Sequence, residues 1–335
     1  MTGIARYIGL ISLSIAGNAA LAQAPEFSVW LEELRLEAIG KGISEATVNA
    51  ALADVAPVER IIELDRNQPE FKLDFWGYVD RVVSDTRITQ GQAHLETHGD
   101  LLEDVQSRYG IPPHVLVAAW GIESNYGRTQ GSSSVVSSLV TLAYDERRAA
   151  FFRAELMHAL RILDEGHIEF DDMRGSWAGA MGQLQFMPST FIDYARDGDG
   201  DGRKDIWNNP ADAVESAANF MSSAGWQRGI IWGRQIQVPE NFDTELEGLD
   251  TRKQLSEWQT IGVRTIEGDD LPAAAVQGSV VLPADGLEPA FMVYQNYRTI
   301  MRWNRSHLFA ISVGHLADRI AGKPPLQRTT GAMPD

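Results

Sequence analysis

The 335-residue chain contains no cysteine. That excludes a disulfide framework, thiol catalysis and any zinc or iron–sulfur site built on thiolates. Basic residues are scarce: 29 Lys and Arg stand against 46 Asp and Glu, a formal charge of −17. A surface of that sign repels phosphate, so nucleic acid is excluded as a main partner. After residue 24 no uncharged apolar run approaches the roughly 18 residues that a membrane-crossing helix needs, so no integral membrane segment is expected. Internal repeats and low-complexity blocks are also missing, which removes the repeat architectures. What remains, 44% hydrophobic and 22% charged residues, suits a compact folded protein.

The first 24 residues have the order of an export signal. Arg6 gives a positive start, residues 7–16 an apolar stretch too short to span a bilayer, and Ala22-Gln23-Ala24 a small-x-small cleavage site. Residues 1–24 are accordingly expected to be a cleaved signal peptide. Removal of Arg6 leaves 28 basic against 46 acidic residues. No cysteine follows the apolar run to carry a lipid anchor, so an exported, soluble, periplasmic protein is expected.

Helical spacing of apolar residues dominates residues 25–66, with Gly40 and Gly42 separating two helices and Ser44-Glu45 opening the second. A further run covers 75–83. Another spans 87–109 with interruptions at Gly91 and Gly99, stops at Gly110 and restarts behind Pro112-Pro113. Between Ser132 and Glu165 there is neither Gly nor Pro, which predicts one or two long helices. Residues 212–224 and 306–320 read as helix. Short β-prone runs at 230–238, 263–266 and 276–282, broken by Pro and Gly, predict a small antiparallel sheet. The expected fold class is mainly α (α+β): a helical core over about 100–228, a β region over about 230–295, a last helix over 306–320, and a disordered tail over 322–335. Residues 25–321 read as one unit.

Three segments could carry chemistry. In the helix behind Pro112, Glu123 follows Trp120 and Leu116 at helical spacing. A carboxylate on an apolar stripe is desolvated, which raises its pKa towards the range of a general acid near pH 7. A surface glutamate near a helix end is the competing reading. The Gly-rich loop 174–189 combines small residues with the hydrogen-bonding groups of Ser176, Gln183 and Gln185 and the apolar surfaces of Trp177, Met181, Phe186 and Met187. That mixture suits a sugar, with apolar faces and a hydroxylated rim, and a structural turn packed by aromatics is the alternative. Third, Asp197, Asp199 and Asp201 stand at positions 1, 3 and 5 of an EF-hand-like loop, with Gly202 at 6, the Arg203 carbonyl at 7 and Asp205 at 9. This all-oxygen set suits structural Ca2+. Asn208 at position 12, where a bidentate Glu is usual, weakens the site, and an ion-free acidic turn is the alternative. His94 and His98, four apart on a polar segment, read as exposed residues. No phosphate-binding or dinucleotide motif occurs, so no organic cofactor is expected.

Glu123–Gly127 (ESNYG), Gly179–Pro188 (GAMGQLQFMP) and Trp303–Ser306 (WNRS) resemble the signature blocks of the lytic murein transglycosylases, most of all the membrane-bound lytic transglycosylase B type. Further likeness lies in 65–78, 131–156 and 219–226, so the resemblance runs through nearly all of residues 27–321. It implies a lysozyme-like catalytic core and cleavage of the β-1,4 bond between N-acetylmuramic acid and N-acetylglucosamine in peptidoglycan, without water, leaving a 1,6-anhydromuramoyl end. It implies Glu123 as acid and then base, assisted by the substrate's own acetamido group. The same likeness places Tyr78, Ser176, Gln185, Phe220 and Asn304 along the sugar groove. Phe220 and Trp303 stand where the family often has Tyr, and Trp177 where it has Phe. The B-type branch carries a similar calcium loop. Glycan strands are the expected partner, with cell-wall synthesis or divisome proteins as further candidates. A goose-type lysozyme-like hydrolase and a non-catalytic peptidoglycan-binding scaffold are the competing functions.

Overall fold

A computed structural model describes residues 26–67, 73–284 and 286–328; the export-signal reading falls outside these residues. The first helices are α1 (Phe27–Gly40), α2 (Glu45–Ala51), α3 (Glu59–Arg66), α4 (Phe75–Val82), α5 (Asp85–Thr97) and α6 (Gly99–Tyr109). Ser44, Asp74 and Ser84 accept from Thr47, Gly77 and Arg87 N–H groups, so α2, α4 and α5 each begin at a side-chain cap. Gly91 does not interrupt α5 as the spacing predicts. It is buried inside the helix, where a Cβ would lie 2.4 Å from Ile320 Cδ1 and 2.7 Å from the Tyr126 hydroxyl. The glycine permits close helix approach there and is no breaker.

The central helix α7 (Pro113–Ser124) has Pro in its first turn, where a missing N–H is harmless, and buries Val115 through Gly121 without a break. Around it lie α8 (Val135–Tyr144), α9 (Ala149–Asp164), α10 (Pro188–Tyr194) and α11 (Pro210–Ser223). The Gly-free stretch thus forms two helices, α8 and α9. A two-stranded ribbon, β1 (Ser133–Ser134) with β2 (Arg174–Gly175), ties the start of α8 to the Gly-rich loop.

The predicted sheet is present, with five antiparallel strands ordered β4 (Lys253–Gln254), β6 (Gln277–Val281), β7 (Ala290–Val293), β3 (Gly233–Gln237) and β5 (Arg264–Thr265). Pairing of Gly233 with Val293 and of Val281 with Phe291 sets its register. Alternation along β7 divides the residues between two cores. Phe291 and Val293 join the main helical core, whereas Ala290, Met292 and Tyr294 pack with Ile236, Leu255 and Trp258 into a smaller one.

Two helices inside this region escape the sequence reading: α12 (Leu255–Ile261) and α13 (Gln295–Trp303). The Glu257 carboxylate accepts from the Gln254 N–H and starts α12, which buries Leu255 and Trp258. The chain closes with α14 (His307–Ile320) against α7. Residues 322–328, expected in a disordered tail, are instead fastened. Gln327 exchanges two hydrogen bonds with the Gln235 side chain (2.7 and 2.8 Å), Lys323 pairs with Asp318 (2.6 Å) and Arg328 with Asp80 (2.5 Å). No helix among the described residues is long and apolar enough to cross a membrane.

Candidate active site

Glu123 sits in the last turn of α7. The chain leaves this helix through three consecutive left-handed residues, Asn125 (φ 51°), Tyr126 (φ 59°) and Gly127 (φ 80°). Ser124 braces the bend: its Oγ donates to Gln183 O (2.6 Å) and accepts from Gly127 N (2.9 Å), joining the helix end to the Gly-rich loop. Trp120, one turn before Glu123, is buried as the spacing predicts. Burial pushes the Glu123 pKa up to about 8, against a hydrogen bond donated by the Trp303 indole N–H. No charged side chain among the described residues shares in that shift. A helix C-terminus, with its negative dipole end, also disfavours a carboxylate. The Tyr78 phenol lies near enough that burial and the Glu123 charge together raise its pKa.

Aromatic rings stand around the Trp303 indole. Phe220 and Phe186 lie 5.0 and 5.2 Å from it, centroid to centroid, and Tyr194 lies 5.0 Å from Phe220. The structure therefore gathers Glu123, Tyr78, Phe186, Phe220 and Trp303. Phe186 is nevertheless buried, and so is Met181, which pairs with it through two backbone hydrogen bonds of 2.8 and 3.0 Å. Met181 is the floor of the loop and offers no open surface, because the loop folds back as a narrow hairpin. Ser176 Oγ accepts from Ala178 and Ala180 N–H groups, which holds the start of that hairpin. Gln185, left-handed at φ 50°, donates to Gln130 O and Gly182 O. Trp177 is half-buried, and Asn304 is exposed with its Oδ1 accepting from Ser306 N.

Sequence spacing misplaces His94 and His98. Both are half-buried, stacked on each other at 5.6 Å, with His94 4.7 Å from the Trp120 and Tyr126 rings. Their helix face packs on α7, and only the residues of α7 reveal that. Ser124 and Gln130 carry no sequence signal beyond their place beside Glu123, and Gln183, offered by the loop as a hydrogen-bonding group, is buried.

The acidic loop converges, with one member the sequence reading lacks. Ligand atoms of Asp197, Asp199 and Asp212 all lie within 4.8 Å of one another. Asp212, on α11 and fully buried, accepts from Gly198 N (2.7 Å) and Asp205 N (2.5 Å), so it ties both ends of the loop together. Burial raises its pKa to about 6, and the Asp199 and Asp197 charges add to the rise. Asp201 and Asp205 are spent on local turns: Asp201 accepts from Arg203 N, and Asp205 from Trp207 N and Asn208 N. They fall outside the convergent trio. Three hard-oxygen carboxylates that repel one another, with no cationic side chain among them, fit a divalent cation of the calcium type.

Comparison with known proteins agrees with this geometry. The family model of the transglycosylase SLT domain matches residues 26–318. The membrane-bound lytic murein transglycosylase B of Escherichia coli is 29% identical over 250 residues, which cover 73% of this chain and 66% of that protein, so the chain spans just under two thirds of that relative. SltB3 from Pseudomonas aeruginosa, solved in complex with NAG-NAM-pentapeptide, superposes with a TM-score of 0.86 at 43% identity, covering 89% of this chain and 80% of that one. The Escherichia coli lytic transglycosylase Slt35, solved with calcium, gives a TM-score of 0.75 at 26% identity over 87% of this chain and 92% of its own. With nearly the whole described chain matched by one family model, this protein belongs to the SLT-domain lytic transglycosylases.

Proposed function

We propose that the chain cleaves the β-1,4 bond between N-acetylmuramic acid and N-acetylglucosamine in peptidoglycan and closes a 1,6-anhydro ring on the muramoyl product. The observation that carries the mechanism is a single desolvated carboxyl group, Glu123, with a pKa of about 8. At neutral pH such a group holds a proton and can give it to the glycosidic oxygen as the C1–O bond breaks. The substrate's 2-acetamido oxygen then takes up the positive charge at C1, the part a second carboxylate plays in two-carboxylate glycosidases. Glu123, now ionised and held by the Trp303 N–H, accepts the C6 hydroxyl proton as that oxygen bonds to C1. Tyr78, Phe220 and Trp303 form the near wall of the groove, with Trp177, Ser176, Gln185 and Asn304 further along it.

The acidic loop holds structural Ca2+ on Asp197, Asp199 and Asp212, which neutralises their repulsion and takes no part in the chemistry. The expected place of action is the periplasm, after removal of residues 1–24. Mass spectrometry of products released from purified peptidoglycan tests the reading. Products one water lighter than reducing muropeptides are expected. Reducing ends would identify a goose-type hydrolase, and binding without release a scaffold.

A further inference from the structure

Away from Glu123, between the sheet and the start of α13, lies a cavity of about 390 Å³. Its wall carries two guanidinium groups, Arg252 and Arg298, and four carboxamides, Gln227, Gln254, Gln277 and Gln295. No carboxylate lines it, a local reversal of sign in a chain of formal charge −17. Arg298 is held in place, donating to Ser279 Oγ (2.7 Å) and to Leu249 O. Ser279 is itself buried and bonded to Thr251 O (2.6 Å). Burial lowers the Arg298 pKa and the nearby Arg252 charge lowers it further, while Asp250 opposes both. Arg252 is exposed and makes no ion pair among the described residues. Two guanidinium forks and neutral amide donors around one space complement a carboxylate, which accepts several N–H groups at once.

The position of the cavity suggests whose carboxylate. Helix α13 begins at its wall with Gln295 and Arg298 and ends at Trp303, which donates to Glu123. Five helical residues rise about 7.5 Å, whereas five extended peptide residues reach up to about 17 Å. A peptide of that length, carried by a sugar in the groove, is long enough to cover the span. Resting on the transglycosylase reading above, we propose that this cavity binds a free carboxylate of the peptide attached to the glycan, and so favours peptide-bearing strands over bare ones.

The test compares kcat/KM on three substrates: strands carrying pentapeptides, the same strands after enzymatic removal of the peptides, and strands whose peptide carboxyls are converted to methylamides. The unmodified peptide-bearing strands are expected to be favoured about tenfold over both others. Arg252→Ala brings that ratio close to one through KM, Arg252→Lys keeps part of it, and the melting temperature stays unchanged. The preference also weakens with salt, since Arg252 faces solvent. Equal turnover of all three, or a preference that survives Arg252→Ala, overturns the proposal. Failure of the transglycosylase reading looks different: none of the three is cleaved. Calorimetric titration with the free pentapeptide then still decides, because saturable binding lost in Arg252→Ala supports the cavity and no binding refutes it.

Discussion

On the proposed mechanism Glu123 concentrates the chemistry in one titratable group, and its environment dictates how activity responds to pH. The protonated form starts the reaction, so turnover should fall as pH rises through about 8, and a pH–rate profile on isolated strands checks this. Replacing Glu123 with Gln removes both proton transfers while preserving shape. A loss of at least ~100-fold is expected in anhydro-product release, the lower end of what general acid–base catalysis contributes. Stability moves in the opposite sense. The folded state binds the Glu123 proton above the ordinary carboxylate range, so ionisation opposes folding as pH rises from about 4.5 to about 8. Glu123→Gln should therefore melt higher than the parent above pH 8. The desolvated glutamate was legible because Leu116, Trp120 and Glu123 share one helix face within eight residues. Its partner Trp303 was not legible as such, since only tertiary folding brings two positions 180 residues apart into a hydrogen bond.

Among elements, the acidic loop shows how far a local motif can be trusted. The first half of the EF-hand pattern singled out Asp197 and Asp199, two of the three carboxylates that converge. Asp212 stood outside any twelve-residue window, being supplied by the next helix. Calcium at millimolar concentration should raise the melting temperature, as any ligand of the native state alone must. Asp199→Asn should shrink that rise, and an equal shift in both proteins, followed by scanning calorimetry, would count against the loop. Helices α5 and α14 give a second test. At Gly91 the added methyl of Ala meets Ile320 and the Tyr126 hydroxyl. A cost of about 1–3 kcal/mol should appear in urea unfolding. Helical spacing revealed the existence of most helices. It missed α12 because a short helix between two strands has too few turns to display a period, and α13 because the β region was drawn through to its first residue.

At the scale of the molecule, the tail is a strap. Residues 322–328 bridge the sheet through Gln235, α14 through Asp318 and α4 through Asp80. Ending the chain after Ala321 leaves the Gln235 amide without its partner, and about 1–2 kcal/mol of lost hydrogen bonding should lower the melting temperature by a few degrees. Composition gave an acidic, thiol-free chain and helical spacing a largely helical one, but neither can show which short segments are tied down. The bends of the active site lead to one more point. Glu123 is ionised only at a cost to folding, and Gln185 holds a left-handed conformation that glycine would adopt more readily. A directed-evolution campaign scored on heat resistance alone would collect replacements at these two positions, and on the proposed mechanism its winners would include robust proteins that have lost their acid.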